Sequence, residues 1–203
     1  MSEFLEIAKK AARASGQLLK DNYGKDKVVD AFEEHDIKLQ LDVMSQSIIS
    51  DLISEAFPDH SILGEEGDAG SEAGDYQWII DPIDGTVNYF FGIPHFCVSI
   101  ALRQKSTDQW ILGVIYDPMM DELWAVDVGS GPTLNGSPIS TSDRGKMSEA
   151  VVTVGFSKTK DAMEAGFIRY RAIASQVRKS RMMGSAALAL AYIACGRLDA
   201  YIE

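Results

Sequence analysis

One short segment, residues 78–88 (WIIDPIDGTVN), constrains the fold of this chain more than any other part of it. An apolar run leads into two carboxylates, Asp81 and Asp84, and Pro82 follows the first of them. Proline fixes its own φ and favours extended backbone before it, so we expect a strand that stops at Asp81 and turns sharply. Gly85 and the threonine after it then predict a helix start, whose first N–H groups point into the turn. Two carboxylates beside such groups suit a divalent cation that bridges to a phosphate.

Helical and strand patterns surround this motif. Apolar residues at helical spacing predict one amphipathic helix from Phe4 to about Gly24 and a second from Val43 to Pro58. Short apolar or alternating runs then predict five strands, which are Ser61–Leu63, Trp78–Ile80, Phe96–Leu102, Trp110–Tyr116 and Leu123–Val128. Later elements are expected at Val151–Val154 (strand), Asp161 to about Arg178 (helix), Ser185–Ala194 (helix) and from Leu198 onward (strand).

A turn-rich segment divides the chain. Residues 129–138 are rich in Gly, Ser and Pro, which predicts a boundary between two subdomains. We expect an α+β subdomain with the metal site in residues 1–140 and an α/β subdomain in residues 141–203. Because the sequence stops inside an apparent strand, whereas termini usually fray in polar sequence, we expect the second subdomain to be incomplete.

The composition limits the partners and the compartment. The chain has 30 Asp and Glu against 19 Lys and Arg, a net charge of −11. Its long-range field should repel nucleic acid and anionic membranes, so we expect neither as a partner. Bound metal ions can still invert the local charge and admit an anionic substrate. Two cysteines without metal or redox spacing, and no apolar run long enough to span a bilayer, favour a soluble cytoplasmic protein.

A second acidic segment, Gly64-Glu65-Glu66, follows the strand that begins at Ser61. An acidic pair in a glycine-bounded loop is usually solvated and inert. If the strands that begin at Ser61 and Trp78 are neighbours, however, their C-terminal ends place Glu65 beside Asp81. Three carboxylates would then converge, which is costly unless a cation neutralises them.

Together, Gly64-Glu65-Glu66 and the 78–88 segment resemble the signature of the inositol monophosphatase family of Mg²⁺-dependent, lithium-sensitive phosphatases. Residues 36–42 are similar to the family segment that ends in a metal-proximal aspartate, here Asp42. Residues 184–188 are similar to its substrate-binding helix start, and residues 199–203 to a segment whose glutamate contacts a substrate hydroxyl. The resemblance implies a layered α/β sandwich of the αβαβα type, as in inositol monophosphatase and fructose-bisphosphatase.

The resemblance also implies a reaction, the hydrolysis of a small phosphorylated alcohol such as inositol monophosphate by a metal-activated water, without a phosphoenzyme. The implied Mg²⁺ ligands are Glu65, Asp81 (bridging two ions), the Ile83 carbonyl and Asp84. The implied catalytic residues are Glu65 and Thr86, which would orient or deprotonate the water, and Asp42, which would orient waters on the metals. The implied substrate-binding residues are Gly85 and Thr86, through their N–H groups, and Ala186 and Glu203, which would face the alcohol. Family members are commonly homodimers, so a dimer is expected.

Some alternatives stay open. In the family a Trp-Asp motif lies beyond the position of Glu203 and supplies a further metal ligand, so a truncated, non-catalytic metal-binding or interaction fragment is the second hypothesis. A family lysine about eleven residues before Asp42 is Ala31 here. Asp42 could cap the helix that begins near Val43, in place of its role at the metals or in addition to it, and Glu203 could be a disordered terminal residue. A haloacid-dehalogenase-type site is excluded, because its nucleophilic aspartate would have to stand where this chain has Pro82.

The histidines and tryptophans are predicted to have structural roles. The histidines, which are His35, His60 and His95, show no ligand spacing. The tryptophans, which are Trp78, Trp110 and Trp124, are expected in the core or in packing between subdomains.

Overall fold

The computed structural model describes residues 2–26, 28–33, 36–156 and 159–203. The chain forms two compact units, Met1–Pro138 and Ile139–Glu203. In the first unit the elements are, in chain order, α1 (Glu3–Asn22), β1 (Val29–Glu33), β2 (Asp36–Leu39), α2 (Gln40–Ala56), β3 (Ser61–Gly64), β4 (Ala69–Gly70), β5 (Tyr76–Asp84), α3 (Thr86–Phe90), β6 (Cys97–Gln104), β7 (Gln109–Asp117), β8 (Glu122–Asp127), β9 (Thr133–Leu134) and β10 (Ser137–Pro138).

An eight-stranded sheet forms the centre of the first unit, in the order β10-β9-β8-β7-β6-β5-β3-β4. Neighbouring strands in it are antiparallel except for β3 and β5, which are parallel. The strands beginning at Ser61 and Trp78 are therefore neighbours, which is the condition on which the expected approach of Glu65 to Asp81 depends. β1 and β2 pair separately as a two-stranded sheet.

Helices α1 and α2 pack against this sheet and bury the core. Ser2 caps α1 by accepting the N–H of Leu5, and the buried Leu5, Ala8 and Leu19 recur at helical spacing. α1 packs on β6 and β7, and α2 packs on β5. α2 thus supports β5, the strand that contains Asp81 and Asp84, from the core side.

An aromatic cluster anchors the N-terminal part of β5. Trp78 is fully buried, and its indole Nε1 donates to His60 Nδ1 at 3.1 Å. The Phe57 ring stacks on both residues, with centroid distances of 5.0 Å to His60 and 6.0 Å to Trp78. Burial lowers the pKa of the His60 imidazole, although Asp59 opposes this shift. The folded chain therefore favours the neutral imidazole.

We expect acid to destabilise the wild-type chain relative to the His60→Gln variant as the pH falls below about 6.5, the ordinary pKa of histidine. Because the pKa of His60 is lower in the folded chain, the unfolded chain takes up the proton first and unfolding is favoured. Urea titrations of both proteins at about pH 5 to 8 measure this difference. A difference that stays constant with pH would contradict the assignment.

The second unit is a small parallel α/β layer. Its elements are a 3₁₀ turn (Met147–Glu149), β11 (Val151–Val154), α4 (Lys160–Ala174), β12 (Lys179–Arg181), α5 (Ala186–Ala194) and β13 (Ala200–Ile202). The sheet order is β12-β11-β13, and both pairings are parallel. Asp199 fastens this sheet to the segment before it, since its carboxylate accepts from Ser142, Arg144 and the N–H of Val151.

The layered α/β architecture agrees with the prediction, but several boundaries do not. The helix expected to reach Arg178 ends at Ala174, because the N–H of Arg178 donates to the Ala150 carbonyl and draws the chain into β12. The second helix begins at Gln40 rather than Val43, and the β1–β2 pair was not predicted.

Three further expectations concern single residues or segments. Trp110 is 58% exposed, next to the β6–β7 turn, so the expectation that it lies in the core was wrong, while packing between subdomains stays a prediction. The side chain of Ala31 and the whole of His35 lie outside the described residues. Within the described part of the chain, no helix is both long and apolar enough to cross a membrane.

Candidate functional site

The end of β5 differs from the sharp turn that the sequence predicts. β5 does not stop at Asp81 but continues to Asp84, with a bulge between these two residues. Asp81 lies opposite Ser99 and Asp84 opposite Cys97, so three steps on β5 match two steps on β6. Proline is tolerated at a bulge because it has no N–H to give to the ladder.

The bulge determines where the two carboxylates point. Side chains alternate between the faces of a strand, so residues three apart normally point to opposite sides. Ser99 and Cys97 are two apart and share a face, and their partners Asp81 and Asp84 therefore share it as well. The extra residue thus aligns two carboxylates that a regular strand would separate.

The parallel pairing of β3 and β5 brings a third carboxylate close to Asp81. Gly64, the last residue of β3, lies opposite Ile80, so Glu65, which directly follows β3, comes level with Asp81 on the adjacent strand. Glu65 is exposed in the turn after β3. It interacts with Asp81 both through its charge and through a side-chain hydrogen bond.

Asp81 has the most perturbed carboxyl group of the site. Burial raises the pKa of Asp81 to about 8, and the charges of Asp84 and Glu65 add to the shift. The N–H of Ile83 donates to Asp81 Oδ1 at 3.1 Å and opposes it. Ionising this group near neutral pH therefore requires a positive charge nearby.

The donor set suits a hard cation. It consists only of oxygen atoms, which are the ligands that Mg²⁺ prefers. Within the described residues, no three His, Cys, Asp or Glu side chains already close around a common point. The charges on Asp84 and Glu65 nevertheless influence Asp81. The two observations agree because Glu65 contacts Asp81 as a pair, through a hydrogen bond, whereas Asp84 acts on Asp81 through its charge alone. The carboxylates are thus close neighbours, not a closed cage.

The residues after the bulge present main-chain and hydroxyl groups. The Thr86 hydroxyl donates to the Ile83 carbonyl at 2.9 Å, and Thr86 is the first residue of α3. Gly85 precedes it with φ 102°, a left-handed conformation that favours glycine. On the other side, the Cys97 thiol lies 3.7 Å from Asp84 Oδ2 as a hydrogen-bond donor, a contact that the sequence did not suggest.

Asp42 lies at the beginning of α2 and is 3% exposed. Its Oδ2 accepts the N–H of Leu39 at 2.8 Å, so the capping alternative holds in a modified form. Asp42 caps from the third position of the helix rather than from the N-cap itself. Burial raises the pKa of the Tyr89 hydroxyl to about 12, and the charge of Asp42 adds to this shift.

Sequence reasoning missed two residues of α2 that contact the site. Gln46 hydrogen-bonds the turn that carries Glu65, and the Ser45 hydroxyl donates to the Pro82 carbonyl at 3.2 Å. The only sequence signal for them is that Ser45 and Gln46 lie three and four residues after Asp42, on the same face of the helix. The sequence does not show which loops this face contacts.

The other two predicted site residues belong to the second unit. Ala186 is the first residue of α5, where Ser185 caps the helix by accepting the N–H of Leu188. Glu203 accepts the Tyr201 hydroxyl at 2.7 Å, and its main-chain oxygen accepts from Arg169 at 2.6 Å.

Known proteins resemble this chain over its whole length. It matches the Inositol monophosphatase family over residues 1–203. Nus factor SuhB of Haemophilus influenzae is 36% identical over 207 residues, which cover 100% of this chain and 77% of that protein. Inositol monophosphatase 2 of Solanum lycopersicum is 34% identical over 211 residues, with 100% and 78% covered.

The fold comparison agrees. The crystal structure of extragenic suppressor protein suhB from Bartonella henselae has a TM-score of 0.93 and 33% sequence identity, and the match covers 98% of this chain and 78% of that one. The family match, the sequence identity with relatives, the layered fold and the motif on β5 thus all indicate the same family. The chain therefore belongs to the inositol monophosphatase family, a family of phosphatases.

Proposed function

We propose that this protein hydrolyses a small phosphorylated alcohol, similar to an inositol monophosphate, in a Mg²⁺-dependent reaction. One observation carries the proposal: the bulge in β5 and the parallel β3–β5 pairing bring Asp81, Asp84 and Glu65 to one edge of the sheet. Such an arrangement is unfavourable in the absence of a cation, as the raised pKa of Asp81 indicates. Structural carboxylates are more often paired with Lys or Arg.

The cation would be held by Asp81, Asp84, Glu65 and the Ile83 carbonyl. The carbonyl can accept the Thr86 hydroxyl with one lone pair and retain the other for a cation. Bound divalent cations would neutralise phosphate charge and make a water molecule acidic enough to act near neutral pH.

The side chains around this position would handle the water. The Thr86 hydroxyl uses its only proton on the Ile83 carbonyl, so its oxygen is left to accept a hydrogen bond from a water. The exposed Glu65 carboxylate can take the proton that this water loses. Because phosphoryl transfer depends mainly on positioning and charge neutralisation, few further acids are needed.

The phosphate would lie against the turn that precedes α3. The N–H groups of Gly85 and Thr86 are the proposed donors to a phosphate oxygen. α3 has only five residues, so these local hydrogen bonds rather than a helix dipole would supply the attraction. Ala186 and Glu203 remain proposed contacts to the alcohol part of the substrate.

The expected partners need one qualification from the distribution of charge. Residues 139–203 contain more Lys and Arg than Asp and Glu, so the acidic excess lies in residues 1–138. Arg171, Arg178, Lys179 and Arg181 are all exposed. These exposed basic side chains thus permit a local attraction to nucleic acid that the net charge of the chain does not indicate. The absence of a nucleic-acid partner stays a prediction, as do the homodimer and the cytoplasmic location.

Phosphate release from a panel of small phosphate monoesters, inositol 1-phosphate included, tests the proposal. We expect turnover that requires Mg²⁺, is inhibited by lithium and is lost in Asp84→Asn. Circular dichroism should show that this variant keeps the fold. Turnover that persists in EDTA or in Asp84→Asn would remove the metal role. A folded wild-type protein without any turnover would favour the non-catalytic metal-binding alternative.

A further inference from the structure

The side-chain amide of Gln46 is buried and hydrogen-bonds the turn that contains Glu65. The side chain projects from α2, and the residue is 7% exposed. Its Oε1 accepts the N–H of Glu66 at 2.9 Å, and its Nε2 donates to the Gly67 carbonyl at 2.8 Å. Both ends of the amide are therefore engaged by the main chain on the C-terminal side of Glu65.

Gly64 shows how closely this amide fits. A Cβ at Gly64 would overlap the Gln46 side-chain amide, although the backbone of Gly64 does not have a positive φ. A side chain at this position would therefore displace the Gln46 amide, so glycine is favoured here by the close approach of Gln46 and not by a left-handed conformation. Gln46 thus touches the turn on both sides of Glu65. The N–H of Gly67 also closes the turn onto the Gly64 carbonyl at 3.3 Å.

The preceding residue of α2 contacts the other acidic segment. The Ser45 hydroxyl lies 3.2 Å from the carbonyl of Pro82, inside the bulge between Asp81 and Asp84. Ser45 is fully buried and also hydrogen-bonds the Ser15 hydroxyl of α1 at 2.5 Å. Two consecutive residues of one helix thus fasten both segments that carry the carboxylates. A helix of 17 residues is a rigid support, so it fixes the two segments relative to each other.

We propose that Gln46 is a positioning residue that sets the affinity of the site for Mg²⁺ without touching the cation. It holds the Glu65 turn in register with the Asp81–Asp84 bulge, which Ser45 holds from the same helical turn. The inference rests on the proposed function. Groups that orient metal ligands typically contribute ten- to hundredfold to metal affinity.

The test compares Gln46→Leu with a matched variant on the same helix. Leucine has a similar volume but no amide, so it removes both hydrogen bonds to the turn. Ser50→Ala is the control, since Ser50 is buried one turn further along α2 and its hydroxyl has no hydrogen-bond partner among the described residues. The readouts are Mg²⁺ binding by calorimetry and the difference in Tm between Mg²⁺ and EDTA. Neither needs substrate.

We expect Gln46→Leu to weaken Mg²⁺ binding about tenfold or more and Ser50→Ala to leave it unchanged. The Mg²⁺ concentration for half-maximal turnover should rise in parallel, while kcat at saturating Mg²⁺ changes less than about threefold. Gly64→Ala, which displaces the same amide, should lower the affinity as Gln46→Leu does. It provides a second measurement if Gln46→Leu fails to fold.

The outcomes separate the two proposals. A wild-type protein that binds Mg²⁺, together with Gln46→Leu and Gly64→Ala variants of unchanged affinity, would overturn the positioning role alone. A loss equal in Ser50→Ala would do the same, because it would assign the effect to general weakening of α2. A folded wild-type protein that binds no Mg²⁺ would overturn the proposed function and this inference with it.

Discussion

Replacing Asp81 with asparagine should abolish Mg²⁺-dependent hydrolysis and, at the same time, stabilise the cation-free protein. The carboxyl group has a pKa of about 8, mainly because it is buried and secondarily because Asp84 and Glu65 are close. In the unfolded chain near pH 7 this carboxyl group is ionised. Folding therefore costs free energy, because the group must either take up a proton or lose its hydration as a charged group. Asparagine has nearly the same shape and carries no charge, so it avoids this cost.

The size and the pH dependence of the effect follow from linkage. One pKa unit corresponds to about 1.4 kcal/mol, so half of the rise in the pKa of Asp81 from 3.8 to about 8 corresponds to about 3 kcal/mol, and we expect a gain in stability of about 1 to 3 kcal/mol at pH 7. Because the folded wild-type chain binds the proton more tightly, its stability falls as the pH rises from about 4 toward 8. The advantage of Asp81→Asn should therefore grow over that range.

Urea unfolding in EDTA measures this prediction, and phosphate release with Mg²⁺ measures the loss of activity. Asp75→Asn is a suitable control, since the Asp75 carboxylate accepts hydrogen bonds from Ser106 and Gln104 that hold its pKa below the usual range. That variant should lose stability and keep its activity. An Asp81→Asn protein that is less stable than wild type in EDTA would identify Asp81 as an ordinary structural carboxylate.

The second large effect is expected at Trp78. Replacing it with alanine should lower the free energy of unfolding by about 3 to 5 kcal/mol, because a fully buried indole is removed and a cavity is left. The change also leaves His60 Nδ1 without its indole donor. Since β5 contains both Trp78 and the acidic bulge, Mg²⁺ binding should weaken as the strand loosens.

Trp110→Ala provides the comparison for this prediction. Trp110 is 58% exposed, and a substitution at such a surface position should change stability by less than about 1 kcal/mol. Chemical denaturation followed by circular dichroism tests both variants. Equal losses would mean that burial does not separate the two tryptophans, which would contradict the core described here.

Much of the fold could be predicted from local patterns in the sequence. Helical periodicity located α1 and α2, and the apolar runs at Ser61 and Trp78 located two strands whose pairing places Glu65 beside Asp81. The chemical roles of the acidic residues depend on resemblance and remain predictions. Residue types near a motif identify candidate ligands, but their geometry comes from strand pairing.

The features that escaped prediction depend on contacts between distant segments. β12 forms because Arg178 finds the Ala150 carbonyl, which no local pattern encodes. The bulge in β5 appears only in the register with β6, and Pro82 alone suggested a stop rather than a bulge. Gln46 lies on the same helical face as Asp42, yet only the tertiary fold shows that it meets the Glu65 turn.

The bulge has one more consequence, for what mutagenesis can reveal. In a regular strand the main-chain oxygens belong to the ladder, whereas a bulged residue is released from it. The Ile83 carbonyl accepts the Thr86 hydroxyl, while the Ile83 side chain is buried in the core at 1% exposure. A side-chain scan would therefore report Ile83 as a packing residue, since every amino acid retains the carbonyl. The oxygen that Ile83 would contribute under the proposed function belongs to the main chain, which all twenty residue types share, so no substitution at this position can remove it.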